Sequence, residues 1–265
     1  MDQIANMPVP QGDALAEMPV PGAPSPDYRN DVASPMQRGF RSGMNTLGAQ
    51  LNALVGQTGE TLGLSEFAAD RFRDADEFAQ AADTQGVKDW GQVKDFTSLT
   101  QFVGNLVGQG AATMVPAIGA SIGLRRPVAG VITGFGVPSA GEQVRSLRAD
   151  PVTAAKPPGQ ILTNAALTGA AQGTIYGTVG APGQFTRRLA GQAAKESFGT
   201  GVTKAAAGQA VAMPAADIVG QKMHQQLNPD KPLDTSHLVE EAITGGVFGG
   251  VLGVAGHLPG RIARV

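Results

Sequence analysis

Few side chains in this sequence have the types and spacing that catalysis or metal binding requires. The three histidines, His224, His237 and His257, have no metal-ligand spacing with one another, and no HExxH motif is present. Gly134 to Gly136 lack the third glycine of a dinucleotide fingerprint, and Gly199 to Lys204 are not in the order of a phosphate-binding loop. We therefore predict no metal site, no cofactor and no catalytic residue.

One acidic residue has neighbours that suggest a general acid. Glu196 is followed by Ser197 and Phe198, and later by the stretch GQAVAMPA from Gly208 to Ala215. This resembles the catalytic Glu-Ser pair and the Gly-Leu-Met-Gln-x-Met-Pro stretch of lytic transglycosylases, and the resemblance implies a glutamate that donates a proton in a cleft. The spacing here is shorter, and the glutamine of that stretch is missing from its place. We interpret Glu196 as a surface residue on a connecting helix, keep a lytic transglycosylase as a remote alternative, and predict that the chain is not an enzyme.

The elements that must position any site are helices marked by a glycine repeat. Residues 161–188 and 237–264 align at a separation of 76 residues, and both copies carry glycine at every fourth position. Residues four apart lie on one face of a helix, so each copy predicts a helix with a strip of bare backbone. We name Gly169, Gly173 and Gly177 the first stripe, and Gly245, Gly249 and Gly253 the second stripe.

The stripes predict a helix-packing interface. Each glycine inside a helix costs roughly 1 kcal/mol relative to alanine, so a helix with several of them needs a partner. The partner could be the other repeat, a second copy of the chain in a homo-oligomer, or a neighbouring helix in a membrane, where small residues drive association. A tightly packed bundle in water would use the same pattern.

Composition predicts an all-α chain, an elongated or loosely packed Gly/Ala-rich helical assembly. Aromatic residues make up 5% and charged residues 16% of the chain, against 37 glycines and 18 prolines. The net charge of −2 provides no basic surface for sequence-specific binding of nucleic acid. The absence of cysteine excludes disulfides and thiolate metal sites.

The first residues predict an extended tail. The motif Met-Pro-Val-Pro occurs twice, and prolines at this density hold the backbone extended. The tail is either disordered or a double docking peptide that binds a partner protein through two linked copies. The docking residues would be Met7, Pro8, Val9, Pro10, Met18, Pro19, Val20 and Pro21. No secretory signal is visible in this region.

The rest of the chain divides by helix signals and charge. Met36, Phe40, Met44, Leu47, Leu51 and Leu54 predict an amphipathic helix over about 35–58, capped at Ser34-Pro35, and Ser65 heads a charged helix over about 65–83. Uncharged runs follow, the first interrupted by Pro116, but each is too polar for an ordinary spanning helix. The region before the second stripe predicts two helices with a break at Met213-Pro214. The predicted domains are 1–33 (tail), 34–90 (amphipathic), 91–150 (uncharged, Gly-rich) and 151–265 (helices bounded by the two stripes).

This order of features resembles the virion-internal, or DNA-ejection, proteins of short-tailed bacteriophages. The resemblance rests on residues 38–43 (RGFRSG), 96–110, 136–145 (GVPSAGEQVR) and the repeated Ala-x-Thr-Gly-x-x-x-Gly-x-x-x-Gly helices, and it covers about residues 31–260. It implies a protein of the virion interior that is expelled with the genome and forms a conduit for DNA across the host cell envelope. The implied partners are further copies of itself, the portal, tail or sister ejection proteins, and transiently the host membrane.

A second function fits the same features. The chain could be a fixed structural or scaffolding component of the virion, associated with the portal or tail, that never enters a membrane.

Known ejection proteins are often much longer than 265 residues and can carry an enzymatic domain, so this chain would be a short member or one processed piece.

Overall fold

The computed structural model describes residues 35–83, 94, 96–124, 127–182, 184 and 197–255, and these residues form helices without a strand. The predicted all-α class is confirmed. The helices are α1 (Pro35–Thr61), α2 (Ser65–Asp83), α3 (Phe96–Leu124), α4 (Pro127–Ala149), α5 (Pro151–Ala154), α6 (Pro158–Thr178), α7 (Phe198–Leu227) and α8 (Leu238–Ala255).

The first two helices begin where their capping signals predict. Helix α1 starts at Pro35, and α2 has the predicted bounds Ser65–Asp83. Between them the chain turns at Gly63, whose φ of 79° lies in the left-handed region that glycine adopts without strain. The amide of Leu64 closes this turn by donating to the carbonyl of Gly59 at 2.9 Å. Helix α2 therefore folds back along α1, and the two pack together.

Helix α1 buries mainly small residues and exposes most of its large apolar ones. The buried positions include Gly39, Ser42, Gly43, Ala49 and Ala53. Large apolar side chains, which we name the α1 apolar face, are exposed: Met36, Phe40, Met44, Leu51 and Val55. The periodicity that predicted the helix was right, but most of its large residues are not in the core. Small residues face inward because α3 approaches so closely that Cβ atoms at Gly39 and Gly43 would collide with Asn105 and Ala112.

The buried side chains of the described helices are mainly alanine, and they include one hydrophobic cluster around Ala53 and Val144 and another around Met114 and Phe248. Helix α1 packs against α2, α3 and α4, α4 packs against α3 and α6, and α7 packs against α6 and α8. Alanine is the commonest buried hydrophobic residue in the part of the chain that the structure describes. Helices from the three predicted segments 34–90, 91–150 and 151–265 therefore contact one another directly.

Three long helices continue through a proline. Pro116 lies inside α3, Pro138 inside α4 and Pro214 inside α7. The predicted break at Met213-Pro214 is therefore wrong, because α7 runs unbroken from Phe198 to Leu227. A proline removes one helix hydrogen bond at a cost of about 3 kcal/mol, and packing on both sides of the residue holds the helix together.

Candidate functional site

The first stripe packs against α4. A Cβ built on each of its glycines would meet atoms of that helix: Gly169 the carbonyl oxygen of Gly136, Gly173 the carbonyl oxygen of Ile132, and Gly177 the Cγ1 of Ile132 at 2.7 Å. Two of these contacts are made to backbone, which cannot move aside as a side chain can. Glycine is therefore required at Gly169 and Gly173 for α4 and α6 to approach as they do.

The second stripe packs against α7 in the same manner. A Cβ on Gly245 would lie 2.5 Å from the carbonyl oxygen of Gln209, one on Gly249 would overlap the carbonyl oxygen of Ala205, and one on Gly253 would lie 2.8 Å from the Cα of Val202. Gly246 and Gly250 lie off the stripe, where the nearest atoms are 3.7 and 4.0 Å away. The two repeated segments therefore each cover a different helix of the same chain.

Side-chain amides join these two helix pairs across the interface between α6 and α7. We name Gln143, Asn164 and Gln172 the amide ladder. Asn164 donates to the carbonyl oxygen of Met223 at 2.6 Å, Gln172 to that of Ala216 at 2.7 Å, and Gln143 to that of Gly220 at 3.4 Å and to Asn164 Oδ1 at 3.1 Å. The three carbonyls lie along one face of α7. Glycine contacts hold α4 against α6 and α7 against α8, and the amide ladder connects these two helix pairs.

A second polar group, which we name the His224 node, ties the end of α4 to the end of α7. The buried His224 places Nε2 2.8 Å from Asp150 Oδ2, and Asn228 donates to the same oxygen at 2.9 Å. These hydrogen bonds, from Asn228 first and then His224, hold the pKa of Asp150 well below its usual range. The other carboxylate oxygen of Asp150 accepts from the amide of Val152 and caps α5. Lys231 Nζ lies 3.7 Å from Asp150 Oδ2.

The node contains the residue types of a catalytic triad. Ser146 Oγ lies 3.3 Å from His224 Nδ1, with Asp150 on the other ring nitrogen. Acyl transfer also needs preorganised donors for the developing oxyanion. Ser146 lies within α4, where the backbone amides are already used by the helix, so its own amide is not free for this purpose. These contacts connect the end of α4 to the end of α7.

A third group brings two carboxylates to one imidazole. Its members are Asp217 on α7, and His237 and Glu241 at the start of α8, which we name the Asp217 cluster. His237 Nε2 lies 3.2 Å from Asp217 Oδ2 and 3.9 Å from Glu241 Oε1. Asp217 and His224 both line a pocket of about 220 Å³, so the cluster and the node border the same cavity.

Burial and like charge shift the protonation of the Asp217 cluster. Burial and the charge of Asp217 raise the pKa of Glu241 to about 7. Burial lowers the pKa of His237, but the hydrogen bond and charge of Asp217 outweigh it, with help from Glu241 and Asp234, so the net pKa is raised. Burial, together with the charges of Glu241 and Asp217, also raises the pKa of Tyr176 on α6.

Sequence reasoning found none of these groupings. His224 and His237 were set aside on spacing to other histidines, but their acidic partners, Asp150 and Asp217, lie 74 and 20 residues away. The spacing of His237 and Glu241 at i and i+4 was the available signal, because it places both on one helix face. Glu196, His257 and the Met-Pro-Val-Pro docking residues lie outside the described residues.

Comparison with known proteins gives no assignment. No protein-family model, curated protein or solved structure matches this chain significantly. Among the described residues, no helix combines the length and apolar character needed to cross a membrane.

Proposed function

We propose that this chain is an internal virion protein of a short-tailed bacteriophage, ejected with the genome and contributing to a conduit for DNA across the host cell envelope. The observation that carries the proposal is the packing of both stripes, in which glycine brings one helix onto the backbone of another. Small residues at such an interface permit close van der Waals contact, which does not depend on excluding water from large side chains. Interfaces of this kind form in water and in lipid.

The helices also have low intrinsic stability, which supports remodelling. Each stripe glycine costs its helix roughly 1 kcal/mol relative to alanine. Prolines lie inside α3, α4 and α7, and most of the buried hydrophobic side chains in the described residues are alanine. A protein that passes through a narrow tail must open and pack again, and segments of low local stability open most readily.

The α1 apolar face supports assembly with other chains. Met36 is 54% exposed and Val55 is 44% exposed, and the five residues of this face lie on one side of the helix. Apolar side chains grouped in this way mark contact surfaces more often than isolated ones do. Further copies of the chain, or portal, tail and sister ejection proteins, are the proposed partners.

A fixed virion component associated with the portal or tail is the second candidate. It is favoured by the fact that both stripes are already covered by helices of the same chain, so neither needs a membrane or a second subunit for its contacts. This candidate uses the α1 apolar face for docking and involves no transfer into the host.

Quantitative mass spectrometry of purified particles, before and after genome release is triggered in vitro, distinguishes the two. Loss of the chain together with the DNA is the result expected for an ejected protein, and dye release from liposomes by the purified chain would then test conduit formation. Retention in emptied particles would establish the fixed component instead. Absence of the chain from intact particles would overturn both proposals.

A further inference from the structure

We propose that Asp217, His237 and Glu241 form a binding site for a divalent first-row transition-metal ion, for which Zn²⁺ is the probe. This inference stands independently of the proposed function. Carboxylate oxygens and imidazole nitrogens are the donors that such ions take in proteins. The ligand atoms of the three residues all lie within 4.8 Å of one another.

The distances suit a common metal centre. Metal-to-ligand bonds of about 2.1 Å in a tetrahedral site place neighbouring ligand atoms about 3.4 Å apart. His237 Nε2 is 3.2 Å from Asp217 Oδ2 and 3.9 Å from Glu241 Oε1. Small side-chain rotations would bring the three donors onto one ion and leave a fourth position for water.

An independent observation is a buried oxygen without a partner. Glu241 Oε2 is buried and has no hydrogen-bond partner among the described residues. A buried polar atom in this state requires an explanation, and an ion held by the Glu241 carboxylate, whose other oxygen Oε1 faces His237, is one. Within the described part of the chain, His237 is also the one basic side chain paired with Asp217 or Glu241.

The surroundings provide the supporting contacts that metal ligands have. Ligating histidines hold their other ring nitrogen near a carboxylate, and ligating carboxylates are themselves hydrogen-bonded. Here His237 Nδ1 lies 3.6 Å from Asp234 Oδ2, and Gln221 donates to Asp217 Oδ2 at 2.5 Å. Gln221 also bonds the backbone of Asp234 in both directions, which fixes the two supporting residues relative to each other.

The local electrostatics favour a cation despite the helix terminus. The amino end of α8 carries about half a positive charge, which opposes a metal ion. The carboxylates of Asp217 and Glu241 lie closer to the site than the helix terminus does, and their negative charge attracts a cation. The bound ion would fasten the first turn of α8 to the middle of α7, next to the interface of the second stripe.

The test is isothermal titration of Zn²⁺ into the purified, EDTA-treated full chain at pH 7.5. We expect one saturable site, a rise in Tm with Zn²⁺, and little effect of Mg²⁺, because imidazole ligation favours the transition metal. Glu241→Gln should weaken binding at least about 10-fold. Glu240→Gln is the matched control, since it removes the same charge from the adjacent residue of α8 and should change the affinity by less than about 3-fold.

Two results would overturn the proposal. One is that the wild-type chain shows no saturable Zn²⁺ binding at Zn²⁺ concentrations up to about 1 mM. The other is equal affinity in the wild-type chain and a folded Glu241→Gln variant, since the ion would then bind elsewhere. If the variant does not fold, histidine ¹⁵N NMR of the wild-type chain decides, because Zn²⁺ must shift the ring resonances of His237.

Discussion

Gly249 of α8 lies directly against the carbonyl oxygen of Ala205 on α7, with no room for a side chain between them. The neighbouring residue, Gly250, has its nearest atom, the Cβ of Ala206, 4.0 Å from where a Cβ would be. Two adjacent glycines of one helix thus have opposite environments. One is required by packing, and the other only lowers the stability of its helix.

Substitution of these two glycines should change stability in opposite directions. Gly249→Ala forces the helices apart and should lower the free energy of unfolding by about 1–3 kcal/mol. Gly250→Ala reduces the backbone freedom of the unfolded chain and causes no collision in the folded one. It should therefore raise the free energy of unfolding by up to about 1 kcal/mol. Urea unfolding followed by circular dichroism measures both. Equal changes in the free energy of unfolding for the two variants would show that α8 does not pack on α7 through the second stripe.

The exposure of the α1 apolar face can be tested with two large residues of α1. Leu47 is buried, and Leu47→Ala should cost about 2–4 kcal/mol because it leaves a cavity in the core. Phe40 is 40% exposed, and Phe40→Ala should cost less than about 1 kcal/mol although phenylalanine is larger. Thermal and urea unfolding of both variants give the comparison. If Phe40→Ala lowered the free energy of unfolding more than Leu47→Ala does, α1 would bury the opposite face.

Loss of an amide-ladder donor should destabilise the contact between α6 and α7. Asn164→Leu leaves the carbonyl of Met223 and the amide of Gln143 with one bond fewer each, and buried polar groups left in this way cost about 1–3 kcal/mol. Thr163→Ala at the next residue is the control. Thr163 is exposed and bonds only to its own helix, so the change should stay within about 0.5 kcal/mol. Hydrogen exchange of the α7 amides should speed up in Asn164→Leu alone.

The His224 node should make stability depend on pH in the acid range. Asp150 has a lowered pKa in the folded chain, so its contribution is fully present above the unfolded value of about 3.9 and is lost as pH falls below that value. His224 and Asn228 hydrogen-bond this carboxylate, and the ammonium group of Lys231 lies 3.7 Å from it. Asp150→Asn keeps a good cap for α5 while removing the charge, so it should flatten this part of the stability profile. An unchanged profile below pH 4 would assign the acid sensitivity to other carboxylates.

Local signals predicted the helices, but not which faces they bury. Pro35 and Ser65 mark helix starts through contacts within a few residues, so those boundaries could be read directly from the sequence. The burial of Gly39 rather than Phe40 depends on how closely α3 approaches, which no local pattern encodes. The glycine period correctly indicated close approach of a helix, but a bare backbone surface does not specify its partner.

Continuity through Pro214 and the polar groups depend on the tertiary structure. A proline normally ends a helix, and packing against α6 and α8 overrides that preference in α7. Asp150 and His224 are 74 residues apart, and Asp217 and His237 are separated by the whole loop between α7 and α8. Such pairs are visible only after the helices have been placed.

Each stripe helix follows its partner in the chain, α6 after α4 and α8 after α7. During synthesis on the ribosome, amino-terminal elements emerge first and begin to fold before the rest is made. The helix that packs onto each glycine surface is thus already outside the ribosome when the less stable stripe helix appears. Because the partner helix is synthesised first, each stripe helix can pack as soon as it emerges. This order shortens the time during which its exposed backbone can form non-native contacts.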